Sequence, residues 1–102
     1  MAQNPHTEAR RAYFVEHYLP GQPIEQLTRS AARIRASVAE LEAAGEQITY
    51  IRSTIVPNDE AFLCLIEAAS EELIGDAYAR AGLSFDRISA AISPDDERSK
   101  AP

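Results

Sequence analysis

The chain has 102 residues, of which 10 are Lys or Arg and 16 are Asp or Glu, and its formal net charge is −6. This acidic balance excludes the basic surface that nucleic acids and anionic membranes require, so we expect neither as a partner. The one cysteine, Cys64, excludes an internal disulfide, and no apolar run approaches the roughly 20 residues of a membrane span, which together predict a reduced, cytoplasmic domain.

Both ends of the chain are polar and have no apolar period. We expect residues 1–11 and 93–102 to be flexible tails, and we expect no native role for His6 in the first of them. Residues 12–92 contain no internal repeat and no low-complexity linker, so they are predicted to form one domain.

The first two elements are predicted from the spacing of apolar residues. Residues 12–19 (AYFVEHYL) are rich in aromatic and β-branched side chains and end at Pro20-Gly21, which is typical of a strand and a turn. After Pro23, apolar residues recur every three or four positions, which predicts a helix of about 20 residues with one buried face. The residues of this face are Ile24, Leu27, Ala31, Ile34, Val38 and Leu41. The helix is expected to end near Gly45, because glycine readily adopts the left-handed conformation that follows many helices.

Two strands are predicted in the middle of the chain. Residues 47–56 (QITYIRSTIV) have strand composition, and residues 57–59 (PND) break the strand with a turn. Residues 61–66 (AFLCLI) are apolar at every position, so both faces of this strand are expected to be buried. A strand of this kind is predicted to lie at the centre of the sheet.

A second helix and a last strand complete the predicted domain. Ser70 can cap the helix, Glu71 and Glu72 complement the positive end of its dipole, and Gly82 ends it. Its apolar face consists of Leu73, Ile74, Ala77, Tyr78 and Ala81. Residues 87–92 (RISAAI) are expected to form a weaker strand at an edge of the sheet.

The order of these elements is strand, helix, strand, strand, helix, strand. Right-handed crossovers convert this order into an α+β ferredoxin-like βαββαβ fold, a four-stranded antiparallel sheet with two helices on one face. The first strand is expected to present either Phe14 and Tyr18 or Tyr13 and Val15 to the other face. An uncovered apolar face marks a subunit interface or a ligand cavity, and a two-fold homodimer is the simplest solution.

Five segments in the same order resemble a small bacterial nickel-binding-protein-like family, formerly a domain of unknown function. These segments are residues 15–21 (VEHYLPG), 48–53 (ITYIRS), 62–68 (FLCLIEA), 70–72 (SEE) and 78–88 (YARAGLSFDRI). The resemblance implies a dimer with a ferredoxin-like fold, and it makes Ni²⁺ a candidate cofactor. It also implies that Glu16 and Cys64 match residues of the family, whereas Arg52 and Tyr78 stand where its members commonly carry histidine.

The candidate metal ligands follow from donor chemistry. Nickel and zinc sites use imidazole and thiolate, so His17 is the predicted metal ligand. Alternation along the strand turns His17 away from Glu16, so the two side chains cannot hold one ion from a single strand. The alternative role for His17 is a hydrogen-bonded or partly exposed histidine that binds no metal. Cys64 lies in the most apolar segment and is either an inert core thiol or a thiolate that Arg52 activates.

A carboxylate in the middle of a strand needs a partner, and for Glu16 we expect a buried ion pair with Arg52. The alternative is a polar patch in an aromatic cavity, with Glu16 as a proton acceptor. The aromatic residues of this cavity would be Phe14, Tyr18, Tyr50 and Tyr78. The alternative for Tyr78 is packing in the core, with its hydroxyl at the rim of this cavity.

Three functional hypotheses remain open. The first is a small dimeric binding protein for a metal ion or small ligand. Its ligand-binding residues would be Glu16, Tyr18, Tyr50, Arg52, Cys64 and Tyr78, with His17 for a metal ion. The second is a cofactor-independent enzyme, similar to monooxygenases or cyclases, that acts on a small aromatic or polyketide-like substrate. The third is a structural dimer or adaptor.

Overall fold

The computed structural model describes residues 10–92. The elements in chain order are β1 (Arg11–Tyr18), α1 (Ile24–Ala43), β2 (Ile48–Val56), a 3₁₀ helix (Pro57–Asp59), β3 (Ala61–Ala68), α2 (Glu71–Ala81) and β4 (Arg87–Ala91). The predicted N-terminal tail overlaps β1 at Arg11. The rest of that tail up to residue 9, including His6, and the whole predicted C-terminal tail lie outside the described residues.

The four strands form one antiparallel sheet in the order β2-β3-β1-β4, which confirms the ferredoxin-like fold. As predicted, β3 lies inside the sheet and β4 at an edge. Helices α1 and α2 pack on the same face, and Ser37 of α1 donates a hydrogen bond to the Ala77 carbonyl of α2 at 2.7 Å. Neither helix combines the length and the apolar character that crossing a membrane requires.

Strand β1 divides its side chains between the two faces of the sheet. Tyr13, Val15 and His17 are buried beneath the helices, whereas Phe14 and Tyr18 are exposed on the opposite face. Of the two predicted arrangements of β1, the structure therefore has the one in which Phe14 and Tyr18, and not Tyr13 and Val15, lie on the face opposite the helices. We call the face opposite the helices the open face, and no helix of the described residues covers it. The strand registers place on it Ala12, Phe14, Glu16, Tyr18, Thr49, Arg52, Thr54, Val56, Ala61, Leu63, Leu65, Glu67, Arg87, Ser89 and Ala91.

Strand β3 is buried on one face only within a single subunit. Phe62, Cys64 and Ile66 are fully buried toward the helices, whereas Leu63 and Leu65 are half-buried on the open face. The expectation that both faces are buried is therefore correct for the helix side alone. Residues 10–92 supply a covering layer on one face of β3 only.

The caps and turns largely follow the local sequence. The side chain of Ser70 accepts a hydrogen bond from the backbone N–H of Leu73 at 3.2 Å, and Gly82 ends α2 with φ of 71°. Helix α1 ends as predicted, just before Gly45 with φ of 98°. On the predicted apolar face of α1, Leu27, Ile34 and Val38 are buried and Ala31 and Leu41 are partly buried. Its first residue, Ile24, is exposed at the start of the helix.

Strand β2 contains a bulge that changes which residues share a face. Tyr50 pairs with Ile66 and Arg52 with Leu65, so the ladder shifts at Ile51 between them. Tyr50 and Arg52 are two positions apart and would share a face in a regular strand, but the extra residue places them on opposite faces. After the bulge, Ser53 faces the helices opposite Cys64.

Candidate functional site

A chain of polar side chains runs through the core between the sheet and the helices. We call it the core polar chain, and its members are His17, Tyr78, Cys64, Ser53 and Tyr50. The Tyr78 hydroxyl lies 3.1 Å from His17 Nε2 and hydrogen-bonds the Cys64 thiol. The Cys64 sulfur lies 3.0 Å from Ser53 Oγ, which lies 2.6 Å from the Tyr50 hydroxyl.

Four elements contribute to the core polar chain. Alternation on β1 and β3 turns His17 and Cys64 toward the helices, and the β2 bulge brings Ser53 and Tyr50 to the same side. Tyr78 reaches the sheet from the buried face of α2. The His17 ring packs against two aromatic rings, with centroids 4.6 Å from Phe62 and 5.1 Å from Tyr78.

One backbone group sets the tautomer of His17. The His17 ring bonds the backbone of Ser84, and because this bond raises the pKa of the ring, the group is a carbonyl that accepts from Nδ1–H. His17 Nε2 must then accept from the Tyr78 hydroxyl. The core polar chain continues through the contacts of Tyr78 with the Cys64 thiol, of Cys64 with Ser53 and of Ser53 with Tyr50.

Burial keeps His17, Cys64 and Tyr78 uncharged. It lowers the pKa of His17, although the Ser84 bond and the charge of Asp86 act in the opposite direction. Burial also raises the pKa of the Cys64 thiol, against the hydrogen bonds from Ser53 and Tyr78, and it raises the pKa of Tyr78 far above its usual value. At neutral pH the imidazole of His17, the thiol of Cys64 and the hydroxyl of Tyr78 are therefore uncharged.

These observations decide between several alternatives for the core residues. Cys64 is a fully buried thiol of raised pKa, and Arg52 lies on the opposite face of the sheet, so the activated thiolate is not supported. The expectation that the Tyr78 hydroxyl lies at the rim is wrong, since Tyr78 is 1% exposed and its hydroxyl is inside the core. His17 has the geometry of the hydrogen-bonded alternative.

The expected ion pair between Glu16 and Arg52 is wrong. Glu16 Oε2 instead accepts from Arg87 of β4, at 3.0 Å from Nη2 and 3.2 Å from Nε. The Glu16 and Arg87 side chains are 37% and 69% exposed, so the pair is also not buried. The reason is the strand order, because β3 separates β2 from β1, whereas β4 adjoins β1 directly.

The expected aromatic cavity is not assembled by the described residues. Phe14 and Tyr18 lie on the open face, whereas Tyr50 and Tyr78 belong to the core polar chain on the other side of the sheet. The sheet itself separates the two pairs. Of the four aromatic residues, Phe14 and Tyr18 alone lie on the same face of the sheet as Glu16, the expected proton acceptor.

The structure instead contains a cleft of about 520 Å³ at one end of the open face. We call it the acidic cleft, and its lining residues are Glu16, His17, Tyr18, Asn58, Asp59, Glu60, Ala61, Leu63 and Asp86. Four of these residues carry carboxylates, and none is Lys or Arg. Sequence reasoning missed Asp59, Glu60 and Asp86, although each lies in a connection next to a strand, where binding residues are common.

Hydrogen bonds to the backbone hold the acidic cleft in shape. Asp86 Oδ2 accepts from the backbone N–H of Tyr18 at 2.7 Å, and Glu60 Oε2 accepts from that of Gly21 at 3.1 Å. The N–H of Asp86 donates to the Glu16 carbonyl at 2.8 Å. His17 lines the cleft and is also the last member of the core polar chain, so the cleft and the core share this residue.

The described part of one subunit does not fit a nickel ion. Within residues 10–92, no group of three or more His, Cys, Asp or Glu side chains is placed to hold a metal ion. Both ring nitrogens of His17 are engaged, by Tyr78 and by Ser84. Imidazole ligates a metal through a free nitrogen, so His17 can ligate only if one of these bonds breaks.

Comparisons with known proteins agree on the fold. Residues 13–90 match the family model described as nickel responsive protein SCO4226-like. The chain is similar to the crystal structure of SCO4226 from Streptomyces coelicolor A3(2), with a TM-score of 0.67 and 21% identity over 80% of this chain and 98% of that chain. No curated protein matches this sequence.

Proposed function

Because the chain belongs to the family of nickel-responsive SCO4226-like proteins, we propose that it is a small homodimeric binding protein that holds a cation in the acidic cleft. The observation that carries this proposal is the lining of the cleft, which contains four carboxylates and no Lys or Arg. A cleft that gathers charges of one sign concentrates the opposite ion, and the net charge of −6 acts in the same direction.

The size and the rim of the acidic cleft suit a small ligand. Its volume of about 520 Å³ lies within the range of roughly 300 to 1,000 Å³ that is usual for ligand pockets. Tyr18 is 60% exposed beside Glu16, so its ring is available to contact a cation. Asp59 and Glu60 are exposed on the turn between β2 and β3, where they can approach a ligand from the opposite wall.

Two kinds of cation share this chemistry, and they make different demands on the protein. A metal ion in the cleft requires donors from a second subunit, because residues 10–92 of one subunit contain no suitable group. An organic ammonium ion needs only carboxylates and an aromatic ring, which one subunit supplies. Nickel is the ion in the description of the family.

The open face supports the dimer part of the proposal. Phe14 is 37% exposed, and the half-buried Leu63 and Leu65 lie beside it on the central strand. The charges of Glu16 and Arg87 on this face compensate each other. Two-fold packing of two open faces would bury these leucines, and it would bring the partner subunit next to the acidic cleft, since Glu16, Tyr18 and Leu63 border both.

The test is a calorimetric titration of tag-free protein at low ionic strength with Ni²⁺, with spermidine and, as a negative control, with glutarate. We expect a cation to bind saturably and glutarate not to bind. Asp59→Asn should weaken cation binding by about tenfold, which corresponds to about 1.4 kcal/mol. Asp76→Asn is the matched control, because it removes the same charge from an exposed position of α2 outside the cleft.

The two cations separate the two forms of the proposal. Binding of spermidine would favour an organic ligand, whereas binding of Ni²⁺ alone would indicate a site completed by the partner subunit. If neither cation binds more tightly than about 1 mM, a free energy of about 4 kcal/mol, the binding function is wrong and a structural dimer is the better interpretation. Equal effects of Asp59→Asn and Asp76→Asn would exclude the acidic cleft as the site.

A cytoplasmic location is part of the same proposal. The fully buried free thiol of Cys64 supports it, because unpaired cysteines persist in a reducing compartment. The enzyme hypothesis depended on an aromatic cavity that the described residues do not assemble, so we do not propose a reaction.

A further inference from the structure

The two strongest nickel donors among the described residues both contact one hydroxyl group. His17 Nε2 lies 3.1 Å from the Tyr78 hydroxyl, and the Cys64 thiol hydrogen-bonds the same hydroxyl. We propose that the core polar chain of this protein is closed to nickel, and that the Tyr78 hydroxyl is the group that closes it. The inference does not depend on the acidic cleft.

The position of the Tyr78 hydroxyl supports this inference. An ion shared by His17 and Cys64 would have to lie between them, with bonds of about 2.0 to 2.1 Å to nitrogen and about 2.3 Å to sulfur. The hydroxyl oxygen is hydrogen-bonded to both donors, so an ion that bridges them would compete with it.

The other hydrogen bonds of the core polar chain also oppose metal binding. The second nitrogen of His17 is held by the Ser84 carbonyl, and the Cys64 sulfur also contacts Ser53. An incoming ion would have to displace the Tyr78 hydroxyl from both neighbours. The described residues therefore form a satisfied polar core in which no donor is left free for a metal.

The matched pair of variants is Tyr78→His and Tyr78→Phe. Histidine at this position is shorter than tyrosine, so it removes the hydroxyl, leaves space for an ion and supplies a third donor next to His17 and Cys64. Phenylalanine removes the hydroxyl but supplies no donor. Each protein is titrated with Co²⁺ and with Ni²⁺, and the thiolate-to-metal charge-transfer absorption in the near ultraviolet is recorded.

We expect no charge-transfer band in the wild-type protein or in Tyr78→Phe. Tyr78→His should gain a band that saturates at about one ion per subunit and disappears when Cys64→Ser is added. Ions held by carboxylates of the acidic cleft release or absorb heat without this band, so the titration separates the two sites.

Two results would overturn the inference. A thiolate band in the wild-type protein that is lost in Cys64→Ser would mean that the core binds the ion despite Tyr78. A folded Tyr78→His protein without a band would mean that Tyr78 is not the residue that excludes the metal. If circular dichroism finds Tyr78→His unfolded, the comparison of wild type with Cys64→Ser still tests whether the core polar chain is closed to the ion.

Discussion

His17 links the stability of the fold to pH. Its pKa in the folded protein is lowered by burial, while in the unfolded chain it returns to about 6.5. Below about pH 6.5 the unfolded chain therefore binds more protons than the folded protein. The free energy of unfolding should be highest above this pH and should fall as the pH decreases toward the lower pKa of folded His17.

Urea unfolding at pH 7.5, 6.5 and 5.5, at a fixed protein concentration, measures this dependence. His17→Gln should be less stable than wild type at pH 7.5 but should lose less of its stability between pH 7.5 and 5.5. The comparison cancels the contribution of His6, which is present in both proteins. An equal loss in both would show that His17 is not the group that titrates.

Residue patterns predicted some of this site and missed the rest for a physical reason. Alternation along β1 correctly turned His17 away from Glu16, because it depends only on local geometry. The pairing of Glu16 with Arg87 depends on which strands are neighbours, and no local pattern contains this information. The separation of Tyr50 from Arg52 depends on the β2 bulge, which the composition of that strand does not reveal.

At the scale of elements, the glycine inside α2 and the glycine directly after it should respond in opposite ways to the same substitution. Gly75 lies inside the helix, and an added Cβ would meet nothing within 4 Å, so Gly75→Ala should stabilise the protein by about 0.5 to 1 kcal/mol. Gly82 has φ of 71°, where alanine is strained by roughly 1 to 2 kcal/mol, and its Cβ would lie 2.9 Å from Arg33 Nη2. Gly82→Ala should therefore destabilise the protein.

Thermal unfolding of the two variants and the wild-type protein measures this contrast. Each glycine is the control for the other, because the added methyl group is the same. A Gly82→Ala protein as stable as the wild type would mean that the end of α2 can relax away from the left-handed conformation.

Elements were easier to predict than their relative positions. The spacing of apolar residues located α1, and the Ser70 cap and Gly82 located α2, since these signals act within one or two helical turns. The exposure of Ile24 shows the limit of this approach. Its position fits the apolar face of α1, but burial depends on whether another element reaches the first turn.

At the scale of the whole molecule, the open face should control the oligomeric state. Leu65→Glu places a charge at the centre of this face and should convert a dimer into a monomer, because a buried unpaired carboxylate is costly. Ile24→Glu is the control, since Ile24 is 54% exposed at the start of α1, away from the open face. Sedimentation velocity measures the state of both variants.

The same interface should make the melting temperature depend on protein concentration in the wild type. This dependence should disappear in Leu65→Glu and persist in Ile24→Glu. A wild-type protein that sediments as a monomer at every accessible concentration would contradict the dimer.

The β2 bulge and the short β4 also limit how far assembly can proceed. An unprotected sheet edge is a template for strand addition and aggregation, and both edges of this sheet are modified against it. On one edge β2 is interrupted by the bulge and carries the exposed Arg52, and on the other β4 has only 5 residues. Within residues 10–92 the helices cover the other face of the sheet, so the proposed face-to-face dimer would leave no second apolar sheet face for a third chain. Assembly through the open face would therefore stop at two chains, and the apolar surface exposed before pairing would not start a fibre.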